Sequence, residues 1–312
     1  MILGFDIGGT KCAVITADVK GGKIEITKKE KVSTDLSIPP EKMIKQLISI
    51  ADKMTNNQKI SSIGISCGGP LDSKKGVINS PPNLSTWVNV PIVDIMKKHF
   101  GVPVYLQNDA NACAVAEWKF GAGRGKKNLV FMTFGTGLGA GLILDGKLYC
   151  GTNDNAGEVG HIRLENDGPL GYGKVGSFEG FCSGGGIAQL GKILAEKSKK
   201  KGIMPLYAEQ EITAKTIADA AENGDKTALE VYKICGEKLG KGISVLIDIL
   251  NPEVIVIGSI FVRSNHLLWK YAEDIIKKEA LTFSADVCKV VPAELGEQIG
   301  DYAAIGVALL EE

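Results

Sequence analysis

The sequence predicts an α/β protein of two lobes that share one internal plan. Two glycine-rich turns carry that expectation: Asp6-Ile7-Gly8-Gly9-Thr10-Lys11, and Thr133-Phe134-Gly135-Thr136-Gly137-Leu138-Gly139-Ala140-Gly141. The first stands between the apolar runs Ile2 to Phe5 and Cys12 to Ala17, the second between Leu129 to Met132 and Leu142 to Leu144. Each turn is therefore expected to join two antiparallel strands. Length is the third observation: 312 residues suffice for two domains with substantial cores.

The first third reads as three strands, Ile2–Phe5, Cys12–Ala17 and Ile24–Thr27, followed by a helix, because Met43, Ile44, Leu47, Ile48 and Ala51 recur at helical spacing. A strand over Ile63–Ser66 stops at Cys67-Gly68-Gly69-Pro70, and another over Pro103–Gln107 runs into Asn108-Asp109. There an alanine-rich helical pattern begins (Ala110, Cys113, Ala114, Trp118), which Asp109 is placed to cap. The middle repeats the layout: strand Leu129–Phe134, glycine turn, strand Ala140–Leu144, then an Asp145-Gly146 hairpin into Leu148 and Tyr149. A long helix from about Ala228 to Leu250 is stopped by Asn251-Pro252 before strand Val254–Ile257. The lobes are expected at 1–118 and 119–300, hinged near Trp118–Lys127, with a C-terminal helix at 301–312 packing back on the first.

Lys plus Arg equals Asp plus Glu at 36 each, so no global basic field exists to hold nucleic acid or anionic lipid. No uncharged apolar run approaches the ~20 residues that span a bilayer. Seven scattered cysteines without a C-x-x-C pair suit reduced core thiols, and the expected location is the cytoplasm.

Glycines in the two turns let backbone N–H groups close on phosphate oxygens, since no Cβ blocks the approach. Without a ligand the same turns are plain tight hairpins; two of them, both with Thr and one with Asp and Lys, favour phosphate grips. Phosphoryl transfer to an alcohol also needs a Mg²⁺ ligand, a base for the hydroxyl and a shaped acceptor pocket. Asp6 is placed to orient Mg²⁺ through water, while Thr10, Lys11 and Thr136 supply donors to phosphate. Asp109, at a strand–helix junction after Asn108, is the base candidate, although an Asp there also serves as an ordinary N-cap. Gly157-Glu158-Val159-Gly160-His161 with Glu179 offers carboxylates and an imidazole among small residues, which suits paired hydroxyls of a sugar ring. Asn83, in Pro81-Pro82-Asn83-Leu84, is a further candidate in a turn-forming context.

On these residues the chain resembles the ROK family (repressor, open reading frame, kinase) of the actin/hexokinase-like ATPase superfamily. The carriers are Asp6 to Lys11, Pro82-Asn83-Leu84 with Trp87 and Pro91, Asn108-Asp109-Ala110-Asn111, Thr133 to Gly139, and Gly157 to His161. The resemblance implies a two-lobed, ribonuclease H-like α/β fold with the active site in the interlobe cleft, ATP and Mg²⁺ as cofactors, and a homodimer. It implies Asp109 as base on the sugar 6-hydroxyl, with Asn83, Asn108, Glu158, His161 and Glu179 on the ring. Asp6, Gly8, Gly9, Thr10, Lys11, Thr136, Gly137 and Gly258 fall on the cofactor side, and the backbone near Cys182–Gly186 and Gly258 on the adenine side.

Two departures stand out. Family members usually carry a zinc-binding C-x-C-G-x-x-G-C-x-E stretch, where this chain has Leu170-Gly171-Tyr172-Gly173-Lys174-Val175-Gly176-Ser177-Phe178-Glu179. A structural Zn²⁺ needs four N or S ligands, so no structural zinc is expected. Tyr172 and Ser177 are then expected to fix the His161 ring through hydrogen bonds. Ser259 also replaces the second glycine usual after Gly258. The expected activity is phosphorylation of glucose, with N-acetylmannosamine or another N-acylhexosamine as alternative acceptor. A sugar-responsive regulator is the different-class alternative; the first motif begins at Asp6, which leaves no room for a DNA-reading domain.

Overall fold

The computed structural model describes residues 1–20 and 23–310. Its strands are β1 (Ile2–Ile7), β2 (Lys11–Lys20), β3 (Lys23–Ser33), β4 (Ser62–Cys67), β5 (Leu71–Asp72), β6 (Val77–Ile78), β7 (Val104–Asn108), β8 (Leu129–Phe134), β9 (Leu138–Leu144), β10 (Lys147–Tyr149), β11 (Leu170–Gly171), β12 (Lys174–Val175), β13 (Val254–Ile257) and β14 (Lys289–Pro292). Its helices are α1 (Pro40–Thr55), α2 (Ile92–Phe100), α3 (Asp109–Phe120), α4 (Phe178–Phe181), α5 (Gly184–Lys199), α6 (Ala214–Glu222), α7 (Lys226–Leu250), α8 (Ile260–Glu279), α9 (Thr282–Ala285) and α10 (Ile299–Val307). Among the described residues, no helix is long and apolar enough to cross a membrane.

The chain forms two compact units: Met1–Gly125 with Gly141–Ala156 and Glu294–Glu312, and Lys126–Ala140 with Gly157–Ala293. These limits differ from the expected 1–118 and 119–300, and beside Trp118 the reason is local. Trp118 continues α3 to Phe120, and Glu117 ties down the residues beyond the helix end. Its carbonyl accepts the N–H groups of Gly121 and Gly123, and its buried carboxylate accepts those of Ala122 (2.8 Å), Glu294 (3.2 Å) and Leu295 (2.9 Å). Residues 121–123 are thereby held to the end of α3 in the first unit. Of the expected 301–312 helix, α10 occupies Ile299–Val307, and residues 311 and 312 lie outside the described residues.

The first unit is built on the sheet β3-β2-β1-β4-β7, in which β1, β4 and β7 are parallel and β2 and β3 antiparallel. Side chains alternate along β1 with period 2. Leu3, Phe5 and Ile7 join Met43, Leu47 and Met96 in one core, while Ile2 joins Ala304, Ile305 and Leu309 in another. Gly4 and Gly64 are register partners on the α10 face, and a Cβ at Gly64 would collide with the Ala304 carbonyl oxygen. The helix can settle onto the strands only because neither position has a side chain. Asp6 shares the parity of Ile2 and Gly4, which turns it toward the start of α10.

The second sheet, β10-β9-β8-β13-β14, repeats that order position for position, with β13 parallel to both β8 and β14. Strand β9 carries the chain from the second unit into the first at Ala140–Gly141. Long helices α7 and α8 pack on each other within the second unit.

Candidate active site

In the first unit, β1, β4 and β7 end side by side, with Ile7 opposite Cys67 and Cys67 opposite Asn108. In open α/β sheets, ligands bind outside such carboxyl ends because the loops diverge there. The segments at these strand ends line one pocket: Gly8 and Gly9 after β1, Gly68 and Gly69 after β4, and Asp109 after β7, with Asn83 from the Pro82–Leu84 turn. Asp6, Asn83 and Asp109 therefore share a cavity, although their sequence positions are far apart.

The cap expected of Asp109 is made one residue earlier. Asn108 is the N-cap of α3, its Oδ1 accepting the Asn111 N–H at 2.8 Å. Asp109 is the first helical residue, and its Oδ1 accepts the adjacent Ala110 N–H at 2.8 Å. Its side chain reaches solvent through the pocket mouth, while the protein packed around it raises its pKa; the Ala110 N–H opposes the shift. Elevated pKa is what a proton acceptor for a hydroxyl requires.

Asp6 has its pKa pushed up to about 6, chiefly by burial, then by the carboxylates of Asp301 and Asp109, with Lys29 opposing. Lys29 donates to Asp301 Oδ2 at 2.6 Å, so an ion pair drawn from β3 and α10 flanks Asp6. Lys29 lies in a charged run and Asp301 near the other end of the chain, so neither carries a local signal that points to Asp6.

The first glycine turn is held by one bond of its own and by Thr34, whose N–H also donates to the Thr10 carbonyl at 3.0 Å. Gly8 N–H donates to the Lys11 carbonyl at 3.2 Å, and Gly8 O accepts the Thr34 hydroxyl at 2.6 Å, while Thr10 and Lys11 are exposed. Gly9 admits the Asn83 backbone, with which any side chain there would collide.

In the second unit, Ser177 caps α4 and sets Glu179 in its first turn. Glu179 Oε2 accepts the Leu138 N–H at 3.0 Å, and a Cβ at Gly137 would come 2.8 Å from that oxygen. This joins Glu179 to the turn containing exposed Thr136. Glu158 and His161 flank a single helical turn, both exposed, and Gly160 between them packs against Glu179. Nearby, Gly258 N–H donates to Met132 O (3.0 Å) and Gly184 N–H to Gly135 O (2.8 Å). The glycine turn, Gly258–Ser259 and the start of α5 thus meet at the ends of β8 and β13.

Ser259 has φ 55° and ψ −110°, a backbone conformation natural to glycine. Such strain costs of order 1–3 kcal/mol. Ser259→Gly is therefore expected to stabilise the protein by about 1 kcal/mol, net of the added freedom of the unfolded chain. A rise in the urea midpoint at constant m checks this; a fall shows that the Ser259 hydroxyl, 3.4 Å from Arg263, outweighs the strain.

Comparison with solved structures supports the architecture. A glucokinase from Streptomyces griseus in complex with glucose and AMPPNP is 28% identical, with a TM-score of 0.75 over 99% of this chain and 98% of that one. Fold and site define an actin/hexokinase-like sugar phosphotransferase. The ROK family model matches residues 2–311. A glucokinase from Thermotoga maritima is 30% identical over 98% of this chain and 96% of its own length. A xylose repressor from Caldicellulosiruptor bescii is 31% identical over 83% of this chain but only 65% of its own length. The chain belongs to the ROK family.

Proposed function

We propose that the protein is an ATP-dependent hexokinase that phosphorylates the 6-hydroxyl of glucose. The observation that carries this reading is Asp109: a carboxylate of raised pKa, fixed at the first position of α3, in one pocket with Asp6 and Asn83. Glucose and ATP as substrates are supported by the Thermotoga relative's name and by the Streptomyces complex.

In this reading Asp109 accepts the 6-hydroxyl proton as the sugar oxygen bonds to the γ-phosphorus and the bond to the ADP oxygen breaks. In the same reading Asn83, Asn108, Glu158, His161 and Glu179 are the residues that hydrogen-bond ring hydroxyls. Gly9, Thr10 and Lys11, with Thr136, Gly137 and Gly258, take the nucleotide, and Gly8 shapes its turn. The donors suit a hard cation held largely by phosphate oxygens and water, because Asp6 offers a carboxylate in the same pocket as Gly8 and Gly9. When bound, Mg²⁺ would supply neutralisation of phosphate charge. The reading includes a cytoplasmic homodimer; all seven cysteines are free thiols, as a reducing compartment allows.

The test is coupled ADP release from Mg-ATP with glucose, mannose, fructose, N-acetylglucosamine and N-acetylmannosamine. Glucose is expected to give the highest kcat/KM. Preference for N-acetylmannosamine moves the assignment to the acylhexosamines, and silence across the panel from folded protein overturns it.

A further inference from the structure

The stretch that usually binds zinc in this family is in this chain a self-supporting knuckle. Its donor set does not fit zinc: Leu170, Tyr172 and Ser177 stand where cysteines would, leaving His161 as the sole nitrogen or sulfur ligand of the expected four. Each missing bond has a substitute. Gln189 grips Leu170 at two points, accepting its N–H at 2.9 Å and donating to its carbonyl at 2.8 Å. Ser177, fully buried, accepts the Gly180 N–H at 3.1 Å and lies 3.4 Å from Gly171 O. It therefore caps α4 and does not make the expected hydrogen bond to His161. Lys174 crosses from the hairpin to donate to His161 O at 2.6 Å, and Arg163 donates to Val175 O at 2.6 Å.

Tyr172 is the residue that local rules do not explain. It begins the two-residue loop between β11 and β12, where Tyr172 (φ 43°) and Gly173 (φ 77°) are both left-handed. Such loops favour Asn-Gly or Gly-Gly, and a bulky residue at positive φ is strained. The side chain gains nothing from burial, being 71% exposed. What its ring does is meet the His161 ring edge-on, at a centroid distance of 5.4 Å and an interplanar angle of 76°.

We propose that this knuckle is metal-free and that Tyr172 is a positioning residue for His161, its ring holding the imidazole where family members use zinc. The contact requires the ring and not the hydroxyl. The inference rests on the reading of His161 as a sugar-binding residue, so its test includes a readout that needs no sugar.

The variants are Tyr172→Gly, which suits the left-handed backbone, and Tyr172→Phe. In Tyr172→Gly the sugar KM is expected to rise roughly three- to tenfold, the scale of an aromatic pair, with kcat and thermal stability maintained. Tyr172→Phe is expected to match the parent protein. In sugar-free protein, the His161 ring proton resonances, assigned against His99 and His266, are expected to move in Tyr172→Gly and stay in Tyr172→Phe. Purified protein is expected to contain no stoichiometric zinc and to resist a zinc-selective chelator. An unchanged KM in Tyr172→Gly, a Tyr172→Phe that behaves like Tyr172→Gly, or one zinc per chain overturns the proposal. If no hexose is turned over, the assigned function fails and the resonances decide alone: unmoved His161 signals in Tyr172→Gly overturn the ring contact.

Discussion

Asp109→Asn is expected to lower kcat about 10²–10⁴-fold, the usual contribution of a positioned general base, while largely preserving the sugar KM. The substitution is nearly isosteric, and the Asn side-chain oxygen can still accept the Ala110 N–H that fixes residue 109. The start of α3 is kept in any case by Asn108, whose side chain makes the cap. What disappears is the proton acceptor alone. A pH profile supplies a second reading. Because the carboxyl pKa is raised, the basic form is lost as pH falls through a value above the ordinary 3.8, so the acid limb of kcat/KM is expected above that value. Asp6, with its pKa at about 6, titrates on the same limb. An Asp109→Asn enzyme with near-parental turnover would remove Asp109 from the role of base.

Glu117→Ala is expected to give the largest loss of stability, about 3–5 kcal/mol. The carboxylate is completely buried and accepts three backbone N–H groups, from Ala122, Glu294 and Leu295. Truncation strands all three donors and opens a cavity, whereas Glu117→Gln keeps one acceptor oxygen and turns an amide N–H toward the remaining donors. The loss for Gln is expected to lie between those of the parent and Ala. Urea denaturation at constant m measures both. A loss below about 1 kcal/mol for Ala would mean that water satisfies the stranded donors.

Much of the framework was legible because burial leaves periodic marks. Val254–Ile257 is a strand with the expected limits, and α7 starts only two residues before the expected Ala228. Strand β3 was read short, as Ile24–Thr27, because Lys28 to Lys31 look like a polar loop; they instead lie on an edge strand, where charge discourages further pairing. Helix α5 left a weak signal because it opens on Gly184-Gly185-Gly186, poor helix formers that start under a Ser183 cap. At the site, the glycine turns, Asn83 and Asp109 could be singled out by local pattern. The Lys29–Asp301 pair beside Asp6 could not, since register and the C-terminal helix bring it there. Nor could the Tyr172–His161 contact be specified: residue types suggested a hydrogen bond, while the backbone at Tyr172 turns ring against ring.

Seating α10 on Gly4 and Gly64 also sets an order in time. The strands that receive the helix are made well before residues 299–307. At roughly 5–20 residues per second, about 9 to 36 seconds separate synthesis of Gly125 from that of α10. Throughout that interval Ile2, Ala13, Ile15 and Ala17 lack the helix that covers them in the finished protein. The second unit needs nothing beyond Ala293. During translation, the unit whose sheet is made earlier is therefore the one that must wait, with an apolar sheet face open to any chaperone that reaches it.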